Sequence, residues 1–473
     1  MLAEHTWAHP VPITAAALAL GLATATASPA LAEGPQAQGF GPDNVIVLIG
    51  DGMGYEQIDA AGLYRDGTSY NQFALDPETG EVEREPAEAS NVYEEFDVQL
   101  SAATYPEGGS YDPASAWSDF DYVNDGYTDS AAAGTALATG VHTDNGVIGL
   151  DPDLMPVRNL TERAQETGRA SGVVSSVPFS HATPAAFVAH NEDRNAYGQI
   201  AREMLTEHEL DVVMGAGHPH YDEDGRLLDE PAYGYVDEGT YESAAAGETG
   251  FTFVEEADDF ADLAGTSTPP ERVFGLAQAA DTLQYDRSGP DLDGDGAPVE
   301  GAMPYDAPLN GNVPTLAEMA SGALNVLGDA SDEGLFLMVE GGAIDWAGHD
   351  NSMNRLIEEQ IEFDEAVDAV VDWVEAESSW QETLVVVTAD HETGYLAGPG
   401  AGEGWTPLTG EAGELPDHSW HSGNHTNMLV PVYAQGPGAS RIQHHAHFED
   451  PVQGAYLEHT DIANAVFDFW GRG

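Results

Sequence analysis

Four short apolar runs that lie beside acidic or histidine side chains constrain the fold of this chain most strongly. They span residues 44–49, 335–339, 384–388 and 429–433. Short runs rich in valine and isoleucine are typical of buried strands. Between two of them, residues 353–375 place apolar side chains at helical spacing. Strands that alternate with helices predict an α/β fold, doubly wound, with a mainly parallel central sheet and helices on both faces.

Potential metal ligands follow three of these runs, at the point where each predicted strand ends. They are Asp51, Glu340, Asp390 and His391. Because ligands bind beyond the carboxyl ends of parallel strands, we expect these side chains to meet at one edge of the sheet. Asp345 and His349 are four residues apart, so a helical turn places them on the same side. An acid after a strand is also a common turn or cap residue, but Asp with His is typical of zinc sites, and acids with hydroxyls suit magnesium.

Ser130 directly follows an acid and directly precedes three alanines. This pattern predicts a helix that begins near Thr128 or Asp129, with Ser130 in its first turn. The free N–H groups of a first turn stabilise negative charge, so the serine could act as a nucleophile or carry a phosphoryl group. An Asp-Ser pair is also an ordinary helix cap. A serine that faces a cluster of Asp, Glu and His side chains, however, is what metal-assisted displacement at phosphorus requires.

Six segments, taken together and in this order, resemble the alkaline phosphatase family from about residue 43 onward. The segments are 51–54, 128–135, 182–190, 340–345, 389–394 and 425–426. The resemblance implies hydrolysis of phosphate monoesters, with Ser130 as the nucleophile that becomes phosphoserine. Small phosphate monoesters are the implied substrates.

The resemblance also implies three metal ions, two of Zn²⁺ and one of Mg²⁺. The first zinc would be held by Asp345, His349 and His425. The second zinc would be held by Asp51, Asp390 and His391. The magnesium would be held by Asp51, Thr183 and Glu340, with Asp51 shared between the two sites.

Three further positions bear on the substrate or on the third metal. Arg194 lies where the family keeps an arginine that grips phosphate, and a planar guanidinium can bind two phosphate oxygens at once. His181 stands where some relatives carry an aspartate beside the magnesium. Trp346 stands where some relatives carry a lysine or a histidine near the substrate, so it either shapes the substrate site or covers the sheet edge.

The chain has 83 acidic residues against 13 basic ones, a formal net charge of −70, and every basic residue is an arginine. The acids are spread along the chain, and 42% of the residues are hydrophobic, which indicates a folded protein rather than a disordered one. We expect adaptation to high salt, because screening at about 1 M salt shortens the Debye length to about 3 Å. The charge disfavours nucleic acid and anionic membranes as partners.

The first 32 residues are expected to be a secretory signal peptide. Residues 13–22 form a short apolar core, and the small residues 30–32 resemble a cleavage site. The apolar core is too short to span a membrane. No lysine or arginine precedes it, and the first arginine is Arg65. We therefore expect export, to the periplasm or the cell exterior, although the signal lacks its usual basic start.

Residues 33–473 are expected to form one catalytic domain with acidic insertions near 62–121 and 218–314. The short stretch between residues 394 and 425 predicts a reduced crown subdomain. In the second insertion, the acids at alternate positions from 291 to 295 resemble the start of a Ca²⁺ loop. They are Asp291, Asp293 and Asp295. The twelfth position of that loop is Ala302 rather than a bidentate acid, so a solvated turn is the alternative.

Two other functions stay open at this point. A phosphodiesterase or phosphotransferase of the same superfamily would use the same ligands. A secreted acidic calcium-binding protein would explain the charge and the acids near residue 291, but not the ordered metal-ligand motifs. The sequence also leaves open whether the protein is a homodimer.

Overall fold

The computed structural model describes residues 41–75, 79, 82–84, 88–294, 296–402 and 404–472. The expected signal peptide, residues 1–32, lies outside the described residues, and so does Asp295. Within the described ranges, no helix combines the length and the apolar character that crossing a membrane requires.

The helices and strands alternate along most of the chain. The strands are β1 (Asn44–Gly50), β2 (Phe73–Leu75), β3 (Val82–Arg84), β4 (Val98–Ala103), β5 (Ala170–Pro178), β6 (Val212–Ala216), β7 (Thr252–Val254), β8 (Val273–Leu276), β9 (Leu335–Gly341), β10 (Thr383–Thr388), β11 (Glu392–Thr393), β12 (Leu396–Ala397), β13 (Ser419–Trp420), β14 (His425–Thr426), β15 (Val430–Gln435), β16 (Phe448–Asp450) and β17 (Gly454–Glu458). The helices are α1 (Tyr55–Asp66), α2 (Pro113–Ser118), α3 (Ser130–Thr139), α4 (Leu160–Glu166), α5 (Ala182–Ala186), α6 (Tyr197–Thr206), α7 (Glu238–Ala245), α8 (Ala257–Gly265), α9 (Leu316–Ala330), α10 (Ala343–His349), α11 (Met353–Glu377), α12 (Ala439–His445) and α13 (Thr460–Trp470).

An eleven-stranded sheet, in the order β16-β17-β4-β15-β10-β1-β9-β5-β6-β8-β7, forms the centre of the described chain. The seven strands from β10 to β7 are all parallel. Strand β15 runs antiparallel to both β10 and β4, and β17 pairs parallel with β4. Helices flank the sheet; α4 and α9, for example, both contact β5 and β9. The predicted mainly parallel α/β fold is confirmed.

Strand β1 shows why the apolar runs become central strands. Every residue from Val45 to Gly50 is buried, and the strand lies between β9 and β10. In that register Val47 lies beside Met338 on one side and Val386 on the other. Burying each such side chain contributes about 1.5–3 kcal/mol, so a continuous apolar run is stable only between covered neighbours.

The turn after β1 brings two parts of the site into contact. Gly52 has a φ of +76°, and a Cβ atom there would lie 2.6 Å from the Cα atom of Asp345. Only glycine combines this backbone conformation with so close an approach. The turn therefore seats Asp51 directly beside the start of α10.

The two segments expected to be insertions also build the central sheet. Strand β4 lies within 62–121, and β7 and β8 lie within 218–314. The sequence analysis missed β4, a six-residue strand in which apolar and polar residues alternate only from Val98 to Ser101; pairing with β15 and β17 stabilises it. Strand β8 has only four residues, too short to stand out among acidic loops.

The acidic turn near residue 291 is anchored to a helix by an ion pair. Both carboxylate oxygens of Asp291 accept hydrogen bonds from Arg355 of α11, at 2.7 and 2.9 Å, and Asn354 donates a third. Asp293 Oδ1 accepts a hydrogen bond from the N–H of Ala297, which closes the turn. Asp291 is therefore paired with an arginine that the local sequence does not show, and the possible Ca²⁺ loop stays a prediction.

Candidate active site

Ser130 is the first residue of α3, as predicted. Asp129 caps the helix, and its Oδ1 atom accepts a hydrogen bond from the N–H of Ala132 at 3.0 Å. Ser130 is 2% exposed, and its Oγ atom lies 3.3 Å from Nε2 of His391. The serine hydroxyl therefore combines a helix N-terminus on one side with a potential metal ligand on the other.

Asp345, His349 and His425 converge on one point beside the serine. Oδ1 of Asp345 lies 3.5 Å from Nε2 of His349 and 3.4 Å from Nε2 of His425, and the two Nε2 atoms are 3.1 Å apart. Asp345 and His349 lie on one side of the short helix α10, as their spacing predicts. Strand β14 supplies His425 from a distant part of the chain.

Hydrogen bonds on the far side of each ring orient these histidines. Nδ1 of His349 lies 2.9 Å from the carbonyl oxygen of Gly423, and Nδ1 of His425 lies 2.8 Å from that of Thr128. Because a carbonyl oxygen only accepts, each Nδ1 carries the hydrogen, and each Nε2 faces the aspartate. Ligating histidines in metal sites commonly have this arrangement.

Asp51, Asp390 and His391 form a second group. Nε2 of His391 lies 3.2 Å from Oδ2 of Asp390 and 3.6 Å from Oδ1 of Asp51. Burial raises the pKa of Asp390 to about 7, and the charge of Asp345 adds to the effect. Burial likewise raises the pKa of Asp51 well above its usual range.

Asp51 also faces a third group, which contains Thr183 and Glu340. The Thr183 hydroxyl donates to Oδ2 of Asp51 at 3.3 Å, and Ser175 donates a hydrogen bond to Oε2 of Glu340. Burial raises the pKa of Glu340 to about 7. The carboxylate of Asp51 therefore presents one oxygen to each of two groups.

Three carboxylate oxygens in these groups are buried and have no hydrogen-bond partner: Oδ1 of Asp51, Oε1 of Glu340 and Oδ2 of Asp390. Burying a charge without a partner is costly, and the usual solutions are pairing or metal coordination. The donor sets fit the expected ions, because Asp with His suits zinc, and carboxylates with a hydroxyl suit magnesium.

Arg194 reaches the site from the loop after α5. Its Nη1 atom donates to Oδ2 of Asp129 at 2.9 Å, and the same oxygen accepts from the N–H of Gly146 at 2.9 Å. Arg194 and Ser130 line one cavity of about 480 Å³. Its lining also includes Tyr127, Asn145, His181, Tyr285, Asp345, Trp346, His349 and His425.

His181 and Trp346 both lie in the cavity wall, with their ring centroids 5.9 Å apart in an edge-to-face arrangement. Burial, followed by the charge of Arg194, lowers the pKa of His181 to about 3, so the ring is neutral. His181 caps α5 two residues before Thr183, and its Nδ1 atom has no hydrogen-bond partner. Trp346 therefore borders the site and does not merely cover a sheet edge.

Sequence reasoning missed two residues that orient the site. Asp129 was interpreted only as a helix cap, yet it also holds Arg194. The Thr393 hydroxyl donates to Oδ1 of Asp345 at 2.5 Å and lies 3.3 Å from Nδ1 of His391, so it contacts both histidine-containing groups. The position of Thr393 two residues after His391 was the available signal for it.

Comparison with known proteins decides the family. The family model for alkaline phosphatase matches residues 42–412. The chain belongs to the alkaline phosphatase family. It is therefore a metal-dependent phosphomonoesterase.

Individual relatives agree with this assignment. The chain is 28% identical to alkaline phosphatase 4 of Bacillus subtilis, over 91% of this chain and 89% of that protein. It is 31% identical to alkaline phosphatase H of Pseudomonas aeruginosa, over 84% and 81%. The fold matches the alkaline phosphatase of the Antarctic bacterium TAB5 with a TM-score of 0.61, 24% identity and coverage of 92% and 99%. A histidine-to-aspartate mutant of that enzyme has Mg bound in its M3 site.

Proposed function

We propose that this chain hydrolyses phosphate monoesters in two displacements, with Ser130 as the nucleophile and a phosphoserine between them. The observation that carries the proposal is the position of the Ser130 hydroxyl. It lies at the N-terminus of α3, 3.3 Å from His391, in a cavity that also contains Arg194. A covalent route needs a nucleophile, an anion clamp and positive charge at one point.

The residues that would hold the metals are those named from the family resemblance. Asp345, His349 and His425 would hold one Zn²⁺, and Asp51, Asp390 and His391 the other. Asp51, Thr183 and Glu340 would hold Mg²⁺. When bound, these cations supply Lewis-acid charge at the phosphate and favour deprotonated hydroxyl groups.

In the first displacement, the Ser130 oxygen attacks phosphorus, the bond from phosphorus to the substrate alcohol breaks, and the alcohol leaves with a proton. The first-turn N–H groups of α3 stabilise the charge that develops on the phosphoryl oxygens. The Arg194 guanidinium binds two of these oxygens, and Asp129 holds the guanidinium in place. In the second displacement, water attacks phosphorus, which releases phosphate and restores the serine hydroxyl.

The neutral ring of His181 and the indole of Trp346 border the substrate side of the cavity. His181 lies close enough to Thr183 in sequence to act on the magnesium site indirectly, in place of the aspartate found in some relatives. Trp346 offers a flat apolar surface to the alcohol part of the substrate. The position of Trp346 in the cavity wall supports its role, and the two-residue spacing from Thr183 supports that of His181.

Three further properties are inferred from sequence. The segment 1–32 indicates export, the excess of acids indicates adaptation to high salt, and a homodimer remains a prediction. The exclusion of nucleic acid as a partner follows from the net charge of −70.

A substrate comparison on the metal-loaded protein tests the proposal. We expect p-nitrophenyl phosphate to be hydrolysed at least about a hundredfold faster than bis-p-nitrophenyl phosphate, since the diester has one negative charge and one terminal oxygen fewer for the cations, Arg194 and the N–H groups of α3 to stabilise. Mass spectrometry after an acid quench should find a phosphoryl group on Ser130. Faster hydrolysis of the diester would favour the phosphodiesterase alternative instead.

A further inference from the structure

Three potential metal ligands meet outside the cavity that contains Ser130. His190 follows α5, Glu203 lies on α6, and His208 lies in the loop between α6 and β6. Nδ1 of His190 lies 3.4 Å from Oε1 of Glu203, and Nε2 of His208 lies 3.3 Å from the same oxygen. One ligand atom from each residue lies within 4.8 Å of the other two. None of the three lines the cavity beside the serine.

The orientation of the His190 ring matches that of a metal ligand. Its Nε2 atom lies 3.1 Å from the carbonyl oxygen of Val157, which can only accept, so Nε2 carries a hydrogen. Nδ1 consequently points at the carboxylate. A hydrogen bond from the far ring nitrogen to a carbonyl oxygen is the usual support of a ligating histidine.

Other contacts hold Glu203 and the loop that carries His208. Oε1 of Glu203 accepts a hydrogen bond from the N–H of His190 at 2.9 Å, so the carboxylate is already held in position. Nη2 of Arg272 donates to the carbonyl oxygen of His208 at 3.3 Å, which holds the loop that carries the second histidine. The three side chains are 13%, 18% and 16% exposed, so water can reach the cluster.

The spacing of the atoms is compatible with a shared metal ion. Hydrogen bonds from nitrogen to oxygen are commonest near 2.9–3.0 Å. Two ligands on a tetrahedral zinc, each about 2.0–2.2 Å from the metal, lie about 3.3–3.5 Å apart. The separations of 3.3 and 3.4 Å lie in the range expected for ligands on one metal ion, and the His208 contact also meets the criteria for a hydrogen bond.

We propose that His190, Glu203 and His208 bind a divalent transition-metal cation of the zinc class, with water at the fourth position. Two imidazoles and one carboxylate form a donor set that suits zinc.

The cation would tie α6 to the segment that leads into Arg194. His190 lies four residues before Arg194, and the bridge between Ile148 and Asn191 fixes the chain between them. Binding of a cation at this site would therefore stabilise the loop that carries Arg194, although the cation would not contact the substrate. It adds a structural cation to the three expected at the active site.

Zinc content tests the proposal on the metal-loaded protein. Wild type, His208→Gln and the control His444→Gln, an exposed histidine on α12, are equilibrated with zinc and magnesium, desalted and analysed by mass spectrometry of the metals. We expect His208→Gln to retain one zinc per chain fewer than wild type and His444→Gln. Equal zinc content in a His208→Gln protein with full phosphatase activity would overturn the proposal.

Two further measurements keep the test independent of folding defects. If His208→Gln loses activity, Glu203→Gln replaces it and is judged by the same zinc count. In addition, zinc is added to wild type beyond the point at which phosphatase activity is saturated. A further rise in melting temperature supports a second class of site, and a melting temperature that no longer changes contradicts it.

Discussion

Asp51, Glu340 and Asp390 are almost fully buried, and each keeps one carboxylate oxygen without a hydrogen bond. A protein interior normally avoids such groups, because an unpaired buried charge costs several kcal/mol. The cations proposed above would account for their presence at the ends of three neighbouring strands. The same cations would explain how an anionic substrate can bind to a chain with a net charge of −70.

Ser130→Ala should lower kcat for a phosphate monoester by about three orders of magnitude or more, because the covalent route is lost while the metal ligands remain. Initial rates measure this effect, and the acid-quenched variant should carry no phosphoserine. Ser440→Ala, at an exposed position on α12, is the matched control and should behave as wild type. Near-normal turnover of Ser130→Ala would show that Ser130 is not the nucleophile.

Arg194→Ala should weaken inhibition by inorganic phosphate about 10-fold to 150-fold, since a charge-assisted contact contributes about 1.5–3 kcal/mol. Asp129→Asn should give a smaller loss, because it frees the guanidinium without removing it. Arg202→Ala is the control. Arg202 lies on α6, and both side chains of its ion pair with Asp237 are about half exposed. An inhibition constant for phosphate that does not change in Arg194→Ala would show that Arg194 does not bind phosphate.

At the scale of elements, α11 organises one side of the molecule through buried ion pairs. Arg287 donates to Glu358 of α11 at 2.6 Å, and Arg355 of α11 donates to Asp291 at 2.7 Å. Both arginine side chains are 1% exposed. These two pairs attach the acidic segment after β8 to α11, the helix that follows Asp345 and His349.

Arg355→Met should destabilise the protein by about 3–5 kcal/mol, because it leaves the buried carboxylate of Asp291 without its partner. Urea unfolding followed by tryptophan fluorescence measures the change. Arg226→Met removes an ion pair with Asp224 in which the arginine is 69% exposed, and it should cost less than about 1 kcal/mol. Equal effects of the two substitutions would show that the buried pair contributes no more than the surface pair.

Asp364 of α11 should make stability depend on pH. Burial raises its pKa to about 7, above the value of about 3.9 expected when unfolded. Between these values the folded state binds more protons than the unfolded state, so this group lowers stability as pH rises from about 4 to 7. Asp364→Asn should therefore unfold at progressively higher urea concentration than wild type as pH increases through this range. If the difference in urea midpoint between Asp364→Asn and wild type does not change with pH, the raised pKa of Asp364 is contradicted.

The elements that the sequence predicted are those with a continuous local signal. Strands β1, β9 and β10 and helix α11 were predicted because each consists of one run or one helical repeat. Strand β4 was missed because its stability comes from pairing with β15 and β17, which lie far away in sequence. The candidate ligands were found from strand ends and family motifs, whereas the contacts of Asp129 with Arg194 and of Asp291 with Arg355 need the folded chain.

At the scale of the whole molecule, the 83 acidic side chains repel one another at low salt. Salt weakens this repulsion, which extends over many angstroms, more than it weakens contacts within the site. It also eases the approach of an anionic substrate. With the proposed cations bound, the site would be opposite in sign to the molecule, and the two would respond differently to salt.

We expect both the melting temperature and turnover to rise from low salt toward about 1 M sodium chloride, with the larger gain in stability. Screening of the attraction between substrate and site opposes the rise in turnover, but it acts at contact distance, where screening is weakest. Thermal melting and initial rates across a sodium chloride series measure the two effects. A melting temperature that is constant or falls with salt would exclude adaptation to high salt and leave the catalytic proposal unchanged.

The strand order also determines when the protein can finish folding during synthesis. Strand β1 and Asp51 leave the ribosome early, but the partners of β1, strands β9 and β10, are made much later. The last expected zinc ligand, His425, emerges after nearly all of the chain. Pairing between segments so distant in sequence is slow, because a large loop must close first. Strand β1 therefore stays without its partners through most of translation, and the expected metal ligands can come together only when the last strands have been made.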